Sequence, residues 1–153
     1  AMEPEIVNVA SLLISMGVKI RGAGTKRIEI EGTKHFENGV CEVFSDRIEC
    51  GTYIIIGALL GKNLTIKGII KEHIEAFLMK LKEAGVKYII HGDELTISRC
   101  ENIKPTYIKT LVFPGFPTDL QQPFTTLLTQ AKGKSIIEET IYENRFKNIF
   151  FVV

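Results

Sequence analysis

Met16-Gly17-Val18-Lys19-Ile20 and Ala84-Gly85-Val86-Lys87-Tyr88 are two versions of one short sequence, 68 positions apart. In each, a glycine ends a run with helical spacing of apolar residues, and a β-like run begins directly after it. A second pair, Leu60-Gly61-Lys62 and Lys132-Gly133-Lys134, lies 72 positions apart and also precedes β-like runs. Self-similarity with a period of about 70 residues predicts a chain built from one repeated supersecondary unit.

The middle copy of this unit, residues 40–99, shows the order of its elements. Apolar spacing and turn residues predict a strand at 40–44, a helix at 47–60, a strand at 63–67, a helix at 72–84 and strands at 86–90 and 94–98. The predicted fold class is therefore α/β, built from repeats of the type β-α-β-α-β-β.

The copies on either side are incomplete. The predicted elements outside the middle copy are a helix at 4–16, hairpin strands at 18–21 and 27–31, a strand at 107–112, a helix at 120–131 and a strand at 135–141. Gly22-Ala23-Gly24 precedes a strand rather than a helix, so it predicts a hairpin turn in preference to a phosphate-binding loop. We expect the chain to be a piece of a larger repeat protein, cut at both ends.

Composition excludes several classes of partner. The 153 residues are 45% hydrophobic and 24% charged with a net charge of +1, so we expect neither nucleic acid nor an anionic membrane as partner. The most apolar segment, residues 53–60, is too short to span a bilayer. Glu3 and Glu5 stand where a secretory leader would be basic, so no signal peptide is predicted here.

The cysteines and histidines indicate no metal or cofactor. Cys41, Cys50 and Cys100 lack the C-x-x-C spacing of zinc sites and are predicted to be reduced thiols. The three histidines are equally scattered along the chain. We therefore predict no metal site and no cofactor.

The turn Phe113-Pro114-Gly115-Phe116-Pro117-Thr118-Asp119 is the first candidate site. Two prolines and a glycine stiffen it, and Thr118 and Asp119 stand where the next helix should begin. One interpretation makes Asp119 an N-cap, since a carboxylate is favoured at a helix N-terminus. The other makes it a carboxylate held at the mouth of a site, where it could take a proton from a substrate hydroxyl. The residues alone leave both open.

Other charged residues are open to the same two interpretations. Arg47 follows Asp46 at a predicted helix start, where the helix dipole mildly disfavours a cation, and this hints at a role elsewhere. Arg145 has the default interpretation of a surface charge. Glu3 and Glu5 are explained most simply as first-turn carboxylates that stabilise a helix N-terminus.

Four stretches, in order along the chain, carry a resemblance to a known family. They are Glu3-Pro4-Glu5-Ile6-Val7, Asp46-Arg47-Ile48-Glu49-x-Gly51-Thr52, Phe116-Pro117-Thr118-Asp119-x-Gln121 and Glu139-Thr140-Ile141-Tyr142-Glu143-Asn144-Arg145-Phe146. Together they resemble the UDP-N-acetylglucosamine 1-carboxyvinyltransferases, enolpyruvyl transferases that commit bacterial precursors to peptidoglycan.

The resemblance implies an architecture. Members of the family have two lobes, each an inside-out α/β barrel of three such repeats, with the active site in the cleft between the lobes. Residues 1–44 would then be the end of the first lobe. Residues 45–153 would start the second, with one repeat completed by strand 40–44 and part of the next.

It also implies an activity and site residues. The family moves the enolpyruvyl group of phosphoenolpyruvate to the 3-hydroxyl of UDP-N-acetylglucosamine and releases phosphate. Asp119 matches the carboxylate that removes the hydroxyl proton, and Thr118 lies beside it along the nucleotide-sugar. Ile141 and Tyr142 match positions packed against that substrate. The matched charged positions of the cleft are Arg47, Arg145, Glu3 and Glu5.

The family's reactive cysteine loop and its phosphoenolpyruvate-binding cations belong to parts of the family not matched by this chain. None of the three cysteines here matches that cysteine, so we expect this polypeptide alone to be inactive. The resemblance places the intact enzyme in the bacterial cytoplasm, in cell wall biogenesis, and so in cell shape, cell cycle and cell division.

The alternative is a truncated, non-catalytic relative that acts as a nucleotide-sugar-binding or dimerisation module. Incomplete repeats leave sheet edges and helix faces exposed, which predicts a homodimer. The apolar tail, residues 150–153, would add to such an interface.

Overall fold

The computed structural model describes residues 2–151, and it leaves the side chains of Asn148, Phe150 and Phe151 undescribed. Val152 and Val153, the end of the tail predicted to support dimerisation, lie outside the described residues. The chain divides into two units, Ala1–Phe44 and Ser45–Val153. That these are parts of two lobes stays a prediction.

The first unit is a helix followed by a hairpin. Helix α1, Pro4–Ser15, has its proline in the first turn, where the missing N–H costs nothing. Strands β1, Lys19–Arg21, and β2, Glu29–Glu31, pair antiparallel. Gly22 has a φ of +76°, and a Cβ there would collide with the carbonyl oxygen of Arg27. The hairpin turn predicted for the glycine-rich stretch is confirmed.

The predicted strand at 40–44 is wrong. Residues 40–44 form no strand, and Val40 and Val43 are 90% and 84% exposed. The Asn8 side chain takes the place of a neighbouring strand, since its Nδ2 donates to the Glu42 carbonyl at 2.8 Å and its Oδ1 accepts from the Phe44 N–H at 2.9 Å. These bonds satisfy two backbone groups, and the segment is largely exposed, so water can satisfy the others without a partner strand.

The second unit follows the predicted order from its first helix onward. Its elements are helix α2, Arg47–Leu60; strand β3, Leu64–Ile66; helix α3, Glu75–Glu83; strands β4, Tyr88–His91, and β5, Glu94–Ile97; strand β6, Tyr107–Lys109; helix α4, Gln121–Leu128; and strand β7, Ile136–Glu138. Two predicted helices begin with a 3₁₀ turn, Lys71–His73 before α3 and Thr118–Leu120 before α4. A further 3₁₀ helix covers Arg145–Phe151.

Two sheets organise this unit. Strands β3, β5 and β4 form an antiparallel sheet in that order. Strands β6 and β7 pair in parallel, with Tyr107 opposite Ile136 and Lys109 opposite Glu138, and α4 connects them. Because parallel strands end at the same edge, the loops after β6 and β7 emerge side by side.

The core of the second unit reaches the turn before α4. Phe116, Phe77 and Phe124 form a buried aromatic cluster with ring centroids 5.4 to 6.2 Å apart. A Cβ on Gly51 of α2 would lie 2.5 Å from Leu120 Cδ1, so the glycine lets α2 approach that turn closely. Phe116 and Leu120, on either side of Asp119, are thus fixed by the core.

Candidate functional site

Asp119 does not cap helix α4. The N-cap residue of α4 is Leu120, and neither α4 nor the preceding 3₁₀ turn Thr118–Leu120 has a side-chain cap hydrogen bond. The Asp119 side chain is 54% exposed while its neighbours are held by the core. The N-cap interpretation is therefore wrong, and the carboxylate is presented outward from a rigid turn.

Arg145 is the partner of Asp119. Its Nη2 donates to the Asp119 Oδ1 atom, and its side chain is only 23% exposed. The guanidinium carbon also lies 5.1 Å from the centroid of the Tyr142 ring, within the range of a cation–π contact. A partly buried cation held by a ring and a carboxylate is not the free surface charge of the default interpretation.

Glu139, which directly follows β7, was not among the predicted site residues. Its Oε1 accepts from Thr110 Oγ1 at 2.8 Å and from the backbone N–H groups of Ile141 and Tyr142 at 2.8 and 3.1 Å. Its Oε2 accepts from Thr118 Oγ1 at 2.9 Å. Partial burial raises the pKa of this carboxyl, but the four hydrogen bonds outweigh it and hold the pKa below its ordinary value of 4.5.

The parallel pairing of β6 and β7 explains why these groups meet. The turn with Thr118 and Asp119 follows β6, and the loop with Ile141, Tyr142 and Arg145 follows β7. Ligands of open α/β sheets bind at the carboxyl ends of parallel strands, where such loops converge. Of the predicted site residues, the structure brings these five together.

A cavity of about 740 Å³ lies beside this cluster. It is lined by Gln122, Ile141, Tyr142, Glu143, Asn144, Arg145 and Lys147. A larger cavity, of about 870 Å³, lies between the end of α3 and strands β4 and β5, and none of the predicted site residues lines it. We assign the candidate site to the smaller cavity because Ile141, Tyr142 and Arg145 line it; Asp119 is not a lining residue and is linked to the cavity through its partner Arg145.

Each of the remaining predicted residues has surroundings within its own unit. The Arg47 guanidinium carbon is 5.6 Å from the ring centroid of Phe113, the first residue of the turn that leads to Asp119. Glu5 lies in the first turn of α1, as its simpler interpretation requires. Glu3 is the N-cap residue of α1 without a side-chain cap bond, and its buried Oε2 has no hydrogen-bond partner among the described residues.

Two further observations concern the Cys50 thiol and the candidates for metal ligands. Burial, with a smaller effect of the Asp46 carboxylate, raises the pKa of the Cys50 thiol to about 11, so the thiol is protonated at neutral pH. Residues 2–151 contain no group of three or more His, Cys, Asp or Glu side chains that could hold a metal ion. Within the same range, every helix is too short or too polar to cross a membrane.

Several known proteins are similar to this chain. Residues 1–149 match the family described as EPSP synthase (3-phosphoshikimate 1-carboxyvinyltransferase). The chain is 51% identical over 150 residues to UDP-N-acetylglucosamine 1-carboxyvinyltransferase 2 of Bacillus subtilis (strain 168), and 49% identical over 149 residues to the protein of that name from Listeria monocytogenes. Each match covers 97% of this chain and 35% of the relative. The resemblance predicted from the four stretches is confirmed.

A solved structure is similar as well. The crystal structure of the enolpyruvyl transferase NikO from Streptomyces tendae superposes with a TM-score of 0.81 at 26% identity, over 94% of this chain and 35% of that one. This confirms the predicted fold class, α/β with the architecture of part of an inside-out barrel of the enolpyruvyl transferase type. The chain spans about a third of the length of these relatives, 35% in each case.

Proposed function

Since the chain belongs to the EPSP synthase family, we propose that it forms part of an enzyme that transfers the enolpyruvyl group of phosphoenolpyruvate to the 3-hydroxyl of UDP-N-acetylglucosamine. The observation that carries the proposal is the Asp119 carboxylate, which caps no helix and faces Arg145 at the carboxyl ends of β6 and β7. The names of the relatives support the choice of sugar nucleotide.

Asp119 has the chemistry that this reaction needs. A sugar hydroxyl is a very weak acid, so a fixed base must take its proton as the new carbon–oxygen bond forms and phosphate leaves. We assign that role to Asp119 and place the sugar nucleotide against Thr118, Ile141 and Tyr142. Arg145 is the partner of the Asp119 carboxylate in this structure. When the substrate hydroxyl binds beside Asp119 in its stead, Arg145 would pair with the anionic groups of the substrates.

The whole activity is proposed for the longer protein that such relatives represent. The chain matches 35% of them, and the reactive cysteine loop and phosphoenolpyruvate-binding cations implied by the resemblance fall in parts that it does not match. We propose that the chain alone releases no phosphate from phosphoenolpyruvate. We assign Arg47, Glu3 and Glu5 to charged positions of the completed cleft, and the enzyme to the cytoplasmic stage of peptidoglycan synthesis.

A chimera tests the substrate. The chain would replace the matching 150 residues of the Bacillus subtilis relative, so that the relative supplies everything else. Phosphate release from phosphoenolpyruvate is measured with UDP-N-acetylglucosamine and, as the contrasting acceptor, with 3-phosphoshikimate. We expect release with the first acceptor and none with the second. Release with 3-phosphoshikimate alone, or a folded chimera inactive with both, contradicts the proposal.

One observation favours the second function, a dimerisation module. Tyr53, Ile56 and Leu60 recur at spacings of three and four on α2, and all three are exposed. An apolar stripe of this kind on a helix marks a face that packs against something else. Sedimentation of the chain across a concentration series tests whether a second copy covers it.

A further inference from the structure

We propose that Glu139 is a positioning residue, which holds the turn of Asp119 and the loop of Arg145 in fixed relation to each other. The geometry is independent of function, and only the chemical role given to Asp119 rests on the proposed function. Glu139 is assigned no role by the resemblance, and it touches neither Asp119 nor Arg145 in any hydrogen bond or ion pair of the described residues.

The position of Glu139 suits this role. One carboxylate collects donors from three segments: Thr110 after β6, Thr118 in the turn, and the backbone of Ile141 and Tyr142 in the following loop. Thr110 is fully buried and also accepts a hydrogen bond from the Thr140 N–H at 2.9 Å, which fixes the base of the loop. Glu139 therefore joins the two loops next to the point where Asp119 and Arg145 join them.

A carboxylate is the group that these donors require. An ionised glutamate only accepts hydrogen bonds and has room for about four, which is the number of donors here. Its partners in the described part of the chain are hydroxyl and backbone N–H groups, and it forms no ion pair with a cation there. Removal of the carboxylate takes away the hydrogen-bond acceptor of two hydroxyls and two N–H groups.

The Asp119–Arg145 pair is too weak to set this geometry alone. The Asp119 side chain is more than half exposed, and ion pairs of that kind contribute little to stability because solvent screens them. Each loop must therefore be placed by other contacts, and Glu139 supplies the hydrogen bonds between them. Without Glu139, the Asp119 and Arg145 side chains should exchange between several relative positions.

Nuclear magnetic resonance of the full chain tests this through Arg145. The observable is the change that Asp119→Asn causes in the Arg145 Nε–H resonance, which belongs to the same guanidinium as the Nη2 that donates to Asp119. We expect this change to fall by about half or more in Glu139→Ala, because the two sites are coupled. It should persist in Glu139→Gln, whose amide oxygen still accepts three bonds while Thr118 rotates to accept the fourth.

Matched variants separate positioning from a general loss of structure. Glu138→Ala removes the adjacent carboxylate, which bonds Lys109 at 2.7 Å and Tyr107, and it should leave the Arg145 signal unchanged. Thr118→Val removes the hydroxyl that donates to Glu139 and should reduce the effect of Asp119→Asn on the Arg145 resonance. Thr118→Ser keeps a hydroxyl and should keep that effect. These two variants decide the matter should Glu139→Ala fail to fold.

The outcomes are distinct. The proposal is overturned if Asp119→Asn shifts the Arg145 resonance as much in Glu139→Ala and Thr118→Val as in the unmodified chain. It is also overturned if Asp119→Asn alone leaves the Arg145 resonance unchanged. Addition of UDP-N-acetylglucosamine to the chimera is a separate measurement. Failure of the chimera to use it would count against the proposed function and leave the positioning role of Glu139 intact.

Discussion

Arg145 donates a hydrogen bond to the Asp119 carboxylate across 26 positions of sequence, from the loop after β7 to the turn after β6. The two residues meet because β6 and β7 are parallel and end at the same edge. The carboxylate is thereby presented outward beside a cation instead of capping α4. The following predictions concern this pair and the structure that supports it.

Loss of Arg145 should affect activity far more than stability. Arg145→Ala removes an ion pair whose members are 23% and 54% exposed, so the free energy of unfolding should fall by only about 1 kcal/mol or less. In the chimera, the same substitution should lower kcat/KM by about tenfold or more, since a cation near anionic substrates is lost. Urea unfolding and phosphate release measure the two effects, and a large loss of stability with full activity would contradict the assignment.

The Glu139 carboxyl should make stability depend on pH. Its pKa lies below 4.5 in the folded chain, so the stabilisation is complete above the unfolded pKa and is lost as pH falls through the folded pKa. Urea unfolding from about pH 6 to about pH 3 should show a steeper loss for the unmodified chain than for Glu139→Gln. Glu143→Gln, at an exposed residue that makes no hydrogen bond to the described part of the chain, is the control and should keep the steep loss.

The core contact of the turn should be costly to remove. Phe116 is buried against Phe77 and Phe124, so Phe116→Ala should lower the free energy of unfolding by about 3–5 kcal/mol. The matched control is Phe36→Ala, at a phenylalanine that is 58% exposed, where the change should be within about 0.5 kcal/mol. Equal effects of the two substitutions in thermal or urea unfolding would show that the core does not anchor the turn.

The close approach of α2 should make Gly51 sensitive to a single methyl group. Gly51→Ala places a Cβ 2.5 Å from Leu120 Cδ1, and overpacking of this kind costs about 1–3 kcal/mol. The better helix propensity of alanine returns up to about 1 kcal/mol, and because Leu120 is fully buried we expect the upper part of the overpacking range and a net loss of about 1–2 kcal/mol. Gly32→Ala, where a Cβ would meet nothing within 4 Å, should be neutral in the same unfolding measurement.

The exposed stripe on α2 predicts self-association of the isolated chain. Leu60→Glu places a charge within the stripe and should shift the sedimentation of a dimer toward that of a monomer. Leu60 is the last residue of α2, so the substitution should not disturb the core. Monomeric behaviour of the unmodified chain at all concentrations would contradict the predicted homodimer.

Local signals in the sequence predicted the helices and turns well. Asp46 caps α2 through bonds from the N–H groups of Ile48 and Glu49, and Gly61 ends that helix, as their residue types suggest. The repeat was visible because glycine is required where the φ angle is positive, at Gly17 and Gly85. These features depend on neighbours within a few residues, so sequence reasoning reaches them.

Features that depend on distant partners were missed. Residues 40–44 have a β-like composition, but their hydrogen bonds go to Asn8, more than 30 positions away. Asp119 had the residue type and approximate place of an N-cap, but α4 begins after Leu120 and the carboxylate pairs with the distant Arg145 instead. Glu139 stood in a quoted motif, yet two of its contacts, with Thr110 and Thr118, needed the parallel register of β6 and β7 to be recognised.

Phosphate release by the chimera with Asp119→Asn tests the central claim most directly. Asp93→Asn, at the exposed tip of the β4–β5 hairpin, is the matched control. We predict that Asp119→Asn lowers kcat by about 100-fold or more, as loss of a general base does, while Asp93→Asn changes it little. An Asp119→Asn chimera that releases phosphate as fast as its parent, with both substrates saturating, would contradict the account.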